Sequence, residues 1–462
     1  MLFNSLNFLF VFLPVTYFVF WKLKSKYQRY VWLTATGYVF YSFWNYKFCA
    51  LMAFSTVVSY LAGLGFLRWQ SQQARRLCLI LPVAVDLTLL GVFKYANFAM
   101  TTASDLANWL HVPLATPYLQ IILPVGISFY TFHTITYIVD SYRGVITPTR
   151  NFFEFACYVS FFPQLVAGPI VRFRQVEGDL ERIDHPDLPE ALERGMSFFT
   201  IGMIKKVLIA DSIAVVINPM LEQWHILSTP AAWLCALGYT YQLYFDFSGY
   251  SDMAVGLGLF FGIRLPQNFN SPYKALDLSD FWHRWHISLS TILRDYVYIP
   301  MGGGRGGEWL TFRNVMITML LGGLWHGADW TFVAWGGYHG ALLIATRYCS
   351  GQLPRVTQWL RKAVTFALVV IGWVLFRSTS FAMAASWLNR MFVWHRGPGF
   401  AGTGVLIALL LVAAYLAHFC PNTFELSHNW SSSATVALAL LFLTCLVMIL
   451  GGKASPFLYF QF

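Results

Sequence analysis

Apolar runs of bilayer length alternate with short basic breaks along almost the whole chain. A helix that crosses the hydrocarbon core needs about 20 mostly apolar residues. Runs near that length occupy residues 2–21, 48–66, 77–98, 122–144, 195–220, 233–263, 402–418 and 435–450, with shorter ones at 30–44 and 363–376. The pattern predicts an all-α polytopic membrane protein with about ten to twelve transmembrane or re-entrant helices and no internal repeat. The basic breaks orient the first spans. Lys22, Lys24, Lys26 and Arg29 follow the first run, and Arg68, Arg75 and Arg76 follow the third. Cytoplasmic loops collect such charge, so the N-terminus is expected outside. Residues 99–120 carry no Lys or Arg and read as an outside loop. Residues 152–174 begin and end beside basic residues and contain Pro163, Gly168 and Pro169. A re-entrant segment fits both facts if its irregular backbone is covered by protein or lines a cavity. The first run has no basic lead and no small-residue cleavage motif, so it is expected to be a retained span. The whole of residues 1–462 is expected to form one integral-membrane domain, with its motif-bearing core at about 121–348 and C-terminal spans in 363–462.

Composition sharpens this picture. The chain is 57% hydrophobic and 11% charged, against roughly 25% charged for a soluble domain. The formal net charge of +10 therefore reads as Lys and Arg gathered in cytoplasmic loops beside lipid, not as a nucleic-acid surface. Seven Cys, an odd number with no CxxC, lie in or beside apolar stretches and read as small hydrophobes.

The stretch from Asn314 to Arg347 places His326 inside an apolar run, between Trp325 and Gly327, with His339 further on. Basic residues stand at both ends, so a hairpin or two short spans fits better than one crossing. An ionisable group at membrane depth is a functional candidate. A water-poor setting favours the neutral imidazole, which suits a general base. The competing reading is a packing His bonded to a backbone carbonyl, and His339 fits that role better than His326 does. Gly322, Gly323 and Gly327 allow close approach of a substrate or another helix.

Upstream, residues 281–296 have helical periodicity. Phe281, Trp282, Trp285, Leu289, Ile292, Leu293 and Tyr296 share one face, and His283, His286, Ser290 and Arg294 the other. One continuous interfacial helix capped by Ser279 is predicted. The HxxH spacing of His283 and His286 admits a metal, but no further ligand motif completes a set, so no metal site is assigned. The glycine run from Met301 to Gly307 would let backbone N–H groups and Arg305 meet a phosphate, a weak signal without the flanking motif of a phosphate loop. Asp246 and Asp252 fall inside a run and are expected to pair with cations such as Lys205.

The segments FWHRWHISLSTILRDYVYIPMGGG and LGGLWHGADWTFVAWGGYHG resemble the membrane-bound O-acyltransferases. Further similarity lies in MLFNSLNFLFVFLP, ILPVGISFYTFHTITYIVD, FFPQLVAGPIVRF, YFDFSGYSDMA, PQNFNSPY and SPFLYFQF. Within that family the chain looks like the branch that O-acetylates alginate and other exopolysaccharides. The resemblance implies a ring of helices around a central tunnel. It implies that His326 is the catalytic His and His286 the second His of the site. It also implies an acyl thioester donor such as acetyl-CoA on the cytoplasmic side of a bacterial inner membrane, with no bound cofactor. A polysaccharide acceptor and a periplasmic acetyltransferase or esterase-like partner would stand on the other side. On this reading Arg284, Arg294 and Arg305 are candidates for donor phosphates. Two alternatives are D-alanyl transfer to teichoic acid within the same family, and a transporter built on broken helices.

Overall fold

The computed structural model describes residues 1–112, 119–166, 168–185, 188–349, 351, 356–452 and 458. Among them every regular element is helical and no strand occurs, as the periodicity predicts. Most of the terminal SPFLYFQF motif lies outside the described residues. The chain divides into two compact units, one of residues 1–196 with 254–266 and one of residues 197–253 with 267–462.

The first unit contains α1 (Leu13–Lys22), α2 (Lys26–Asn45), α3 (Lys47–Arg68), α4 (Gln72–Leu90), α5 (Ala96–Trp109), α6 (Ile127–Tyr142), α7 (Phe152–Ser160), α8 (Phe162–Leu165) and α9 (Phe173–Glu181). Polar side chains cap α2, α4 and α7. Ser25 accepts from the Gln28 N–H while the Gln28 side chain reaches back to Ser25, and Ser71 accepts from Ala74. A π-helical turn, Gly91–Tyr95, joins α4 to α5, so helix runs unbroken from Gln72 to Trp109. The outside loop expected from residue 99 therefore begins later. Missing Lys and Arg report sidedness, but AMTTASDLANW contains no Gly or Pro to end a helix. The segment expected to be re-entrant is broken as predicted. Helix α7 stops at Ser160, α8 is a single turn around Pro163, and the described residues from there to Arg172 are irregular. Phe161, Phe162, Gln164 and Leu165 are buried, so protein covers the break. Inside the unit, Asp86 of α4 accepts hydrogen bonds from Ser55 of α3 and Thr134 of α6, both at 2.6 Å.

The second unit contains α10 (Leu188–Met203), whose first half belongs to the first unit, then α11 (Ser212–Glu222), α12 (Thr229–Phe260), whose end from Ala254 belongs to the first unit, α13 (Leu278–Arg284), α14 (Ile287–Leu293), α15 (Glu308–His326), α16 (Trp330–Tyr348), α17 (Gln358–Arg377), α18 (Phe381–Phe392), α19 (Thr403–His418) and α20 (Ser432–Leu450). The buried charges are paired. Lys206 lies 2.7 Å from Asp211 and 2.5 Å from Asp246, and Lys205 lies 2.6 Å from Asp252, which also accepts from Thr423. Both lysines sit in the π-helical stretch Ile204–Asp211. Helix α20 is apolar on all sides and only Cys445 of it is buried, the composition of a surface in contact with lipid. Lys47–Arg68, Gln72–Trp109, Gln358–Arg377 and Ser432–Leu450 are each long and apolar enough to cross a membrane, and Phe8–Lys22 and Thr403–His418 are shorter apolar helices. The chain is a polytopic membrane protein.

Candidate active site

Helices α15 and α16 form a hairpin with His326 at its tip. Glycine makes this packing possible. A Cβ on Gly323 would lie 2.2 Å from the Phe332 carbonyl oxygen, and one on Gly336 would lie 2.3 Å from that of Met319. The two backbones are therefore in direct contact, a separation closed to any residue with a side chain. The turn ends where Asp329 caps α16, accepting from the Thr331 N–H at 2.8 Å. His326 is 5% exposed, and its ring sits 5.0 Å from Trp325, 5.2 Å from Trp335 and 5.2 Å from Phe376 between centroids.

The single helix predicted over 281–296 is not formed. Helix α13, capped by Asp277 and not by Ser279, ends at Arg284. His286 then takes the left-handed conformation, φ 45°, before α14 begins. The cause lies in another segment. The Asn270 N–H donates to the Arg284 carbonyl and the Ile287 N–H to the Asn268 carbonyl, both at 2.9 Å. These two bonds draw Trp285 and His286 out of helical geometry. Left-handed backbone at a non-glycine residue is sparsely populated and leaves no trace in hydrophobic periodicity. The break turns His286 from the polar face, where the periodicity placed it, into the interior at 0% exposure. There its ring lies 4.7 Å from Phe247, 5.9 Å from Trp325 and 6.3 Å from His326. The two histidines expected to act together are thus neighbours inside one aromatic shell.

A cavity of about 380 Å³ opens beside His326. Trp282, Leu293, Met319 and Trp335 form its apolar wall, and Ser279, His283, Ser290, Arg294 and Tyr298 its polar wall. Of the three arginines expected at the donor, Arg294 alone is among the described lining residues; it is salt-bridged to Asp295 at 2.7 Å. Arg284 is instead held by Asp280 at 2.6 Å and by the Asn270 carbonyl. Arg305 lies exposed in the glycine loop. That loop makes a poor phosphate cradle, because the N–H groups of Gly302, Gly303 and Arg305 already donate to the carbonyls of Ile299, Tyr298 and Gly302. Asn314 fixes the loop from α15 by donating to the Met301 and Gly303 carbonyls.

The HxxH pair is divided. His283 lines the cavity and its Nδ1–H donates to the Ser279 carbonyl at 2.6 Å, while His286 faces Asn268. Among the described residues no three or more His, Cys, Asp or Glu side chains gather as a metal site requires. His339 packs in a ring of aromatics, 4.9 Å from Trp335 and 5.3 Å from Trp282, and neither of its ring nitrogens has a hydrogen-bond partner among the described residues. Asn268 was legible only as part of PQNFNSPY, with no hint of its position against His286.

Comparison with known proteins gives the family. The sequence model described as MBOAT, membrane-bound O-acyltransferase family, matches residues 147–387, which include both histidine segments. A probable alginate O-acetylase of Azotobacter vinelandii is 40% identical, with 100% of each chain covered. A peptidoglycan O-acetyltransferase of Helicobacter pylori is 34% identical over 100% of this chain and 98% of the relative. A teichoic acid D-alanyltransferase of Bacillus subtilis is 30% identical over 56% of this chain and 69% of its own.

Proposed function

The chain belongs to the membrane-bound O-acyltransferase family and is an O-acyltransferase, and from that premise we propose that it acetylates an exported polysaccharide. The donor is an acyl thioester such as acetyl-CoA on the cytoplasmic face of a bacterial inner membrane. The acceptor is a hydroxyl reached from the other face, on an alginate-like polymer or on a periplasmic acetyltransferase-like partner that passes the group on. The observation that carries this reading is His326 at the hairpin tip, lining a largely apolar cavity with His286 beside it. Identity to acetyl-transferring relatives over the full chain supports acetyl over D-alanyl transfer, where the likeness covers about half of it.

In the step proposed, a nitrogen of neutral His326 takes the acceptor hydroxyl proton as that oxygen attacks the thioester carbonyl. The new C–O bond forms, the C–S bond breaks, and the thiolate leaves with the proton from the imidazolium. The products are an ester and a free thiol. His286 holds the acceptor hydroxyl, and Arg294 at the polar wall meets the donor's phosphates. A pocket of this size holds both reactants at short range.

The test uses purified protein in lipid nanodiscs with acetyl-CoA and polymannuronate oligosaccharide. Wild type is expected to release free CoA and form acetyl esters in equal amounts, and His326→Ala to do neither at the same thermal stability. Turnover of a D-alanyl thioester but not of acetyl-CoA, or wild-type turnover by His326→Ala, would overturn the proposal.

A further inference from the structure

Asn268 stands in the PQNFNSPY segment, 1% exposed, and neither it nor His286 is among the described residues that line the cavity. Its side-chain oxygen collects three contacts. The Ser288 backbone N–H donates to it at 3.2 Å, the Ser288 hydroxyl donates at 2.9 Å, and His286 Nδ1 lies 3.1 Å away. Its amide nitrogen donates to Ser251 on α12 at 3.3 Å. Its own carbonyl accepts from the Ile287 N–H, one of the two bonds that shape the break at His286.

The Ser288 hydroxyl also lies 3.5 Å from His286 Nδ1, but its hydrogen is spent on the shorter 2.9 Å bond to Asn268, and the arrangement therefore decides a proton position. A backbone N–H can only donate, so the atom of Asn268 facing Ser288 is oxygen. An amide oxygen can only accept, so His286 Nδ1 must carry the hydrogen in that contact. In the neutral ring the lone pair is then on Nε2. Such an imidazole accepts a hydrogen bond through Nε2 and has no donor there for a developing oxyanion.

We propose that Asn268 is a positioning residue that locks His286 in its Nδ1–H tautomer, so that His286 serves by accepting a hydrogen bond from the acceptor hydroxyl. The inference rests on the reading above that His286 lies in the reacting site. It deepens that reading by naming the ring nitrogen through which His286 meets the hydroxyl and by leaving no donor there for an oxyanion.

The test joins a spectroscopic signature to kinetics. Protein labelled with ¹⁵N-histidine is studied in nanodiscs, and the signal lost in His286→Gln identifies the residue. The Nδ1–H form is expected in wild type and in Asn268→Asp, which keeps an oxygen for both donors. A substantial Nε2–H population is expected in Asn268→Ala. With acetyl-CoA as donor, Asn268→Ala is expected to lower kcat roughly ten- to hundredfold, the scale seen when the partner orienting a functional imidazole is removed. KM for acetyl-CoA should stay within about twofold, since Asn268 touches no donor. In the His286→Gln background the same substitution should have little further effect. An Nε2–H signal in wild type, an unchanged tautomer in Asn268→Ala, or equal slowing in both backgrounds would overturn the proposal. Failure of the underlying reading looks different: His286→Gln would turn over at the wild-type rate while the tautomer still followed Asn268, which removes the catalytic half of the proposal and leaves a structural lock.

Discussion

Replacing Gly336 by Ala adds one methyl group where α16 meets α15. That carbon would stand 2.3 Å from the Met319 carbonyl oxygen, 3.0 Å from its carbon and 3.1 Å from Leu320 Cα. All three are backbone atoms, so no side-chain rotation relieves the clash. Ordinary contact begins near 3.5 Å, so the helices must part by about 1 Å. Overpacking of this kind destabilises by about 1–3 kcal/mol. The displacement is carried along α15 to His326, and a misplacement of about 1 Å lowers the rate of a positioned reaction by roughly a hundredfold. Gly337→Ala is the matched control, because its new carbon would meet only Leu320 Cδ2 at 3.6 Å. The assay is acyl transfer by purified protein, read beside thermal unfolding in the same detergent. Gly336→Ala is expected to lose most activity and some stability, and Gly337→Ala neither. Equal, near-wild-type behaviour in both would show that the hairpin is not held backbone to backbone and that its tip position is not set by glycine.

Three further outcomes follow from the same geometry. Lys206→Met strands Asp211 and Asp246 in a buried site and should cost about 3–5 kcal/mol, read as a fall in unfolding temperature. Arg294→Ala should raise KM for acetyl-CoA roughly three- to tenfold, a discounted figure because the side chain is half exposed and paired with Asp295, whereas Arg305→Ala should change it less than about twofold. An equal rise in both would return the glycine loop to the donor site. His339→Phe keeps a ring in the aromatic cage and removes two nitrogens that have no hydrogen-bond partner among the described residues, so both turnover and unfolding temperature should hold within error; loss of turnover at unchanged stability would assign His339 a chemical role.

Long apolar runs made the membrane class and most helices legible, because a span repeats one signal for twenty residues. The His326 hairpin was legible too, through basic residues at both ends and glycines within it. The continuous helix over 281–296 was the main failure. Its periodicity is real, and His283, Ser290 and Arg294 do share the cavity wall. The break at His286 comes from two backbone hydrogen bonds made by residues 268–270, a contact no local pattern carries. The end of α5 failed for a related reason: charge reports which side a loop is on, and only Gly, Pro or tertiary packing says where a helix stops. Asn268 lay in a segment noticed for resemblance alone, since its meaning depends on a partner 18 residues away.

The central claim is that His326 is required for acetylation. Its most direct test is the acetyl-ester content of the exported polysaccharide from cells carrying wild-type protein or His326→Ala, at matched abundance in the membrane. The account expects the esters to disappear while abundance and polymer yield hold. Unchanged ester content would make the buried histidine a packing residue and contradict the mechanism.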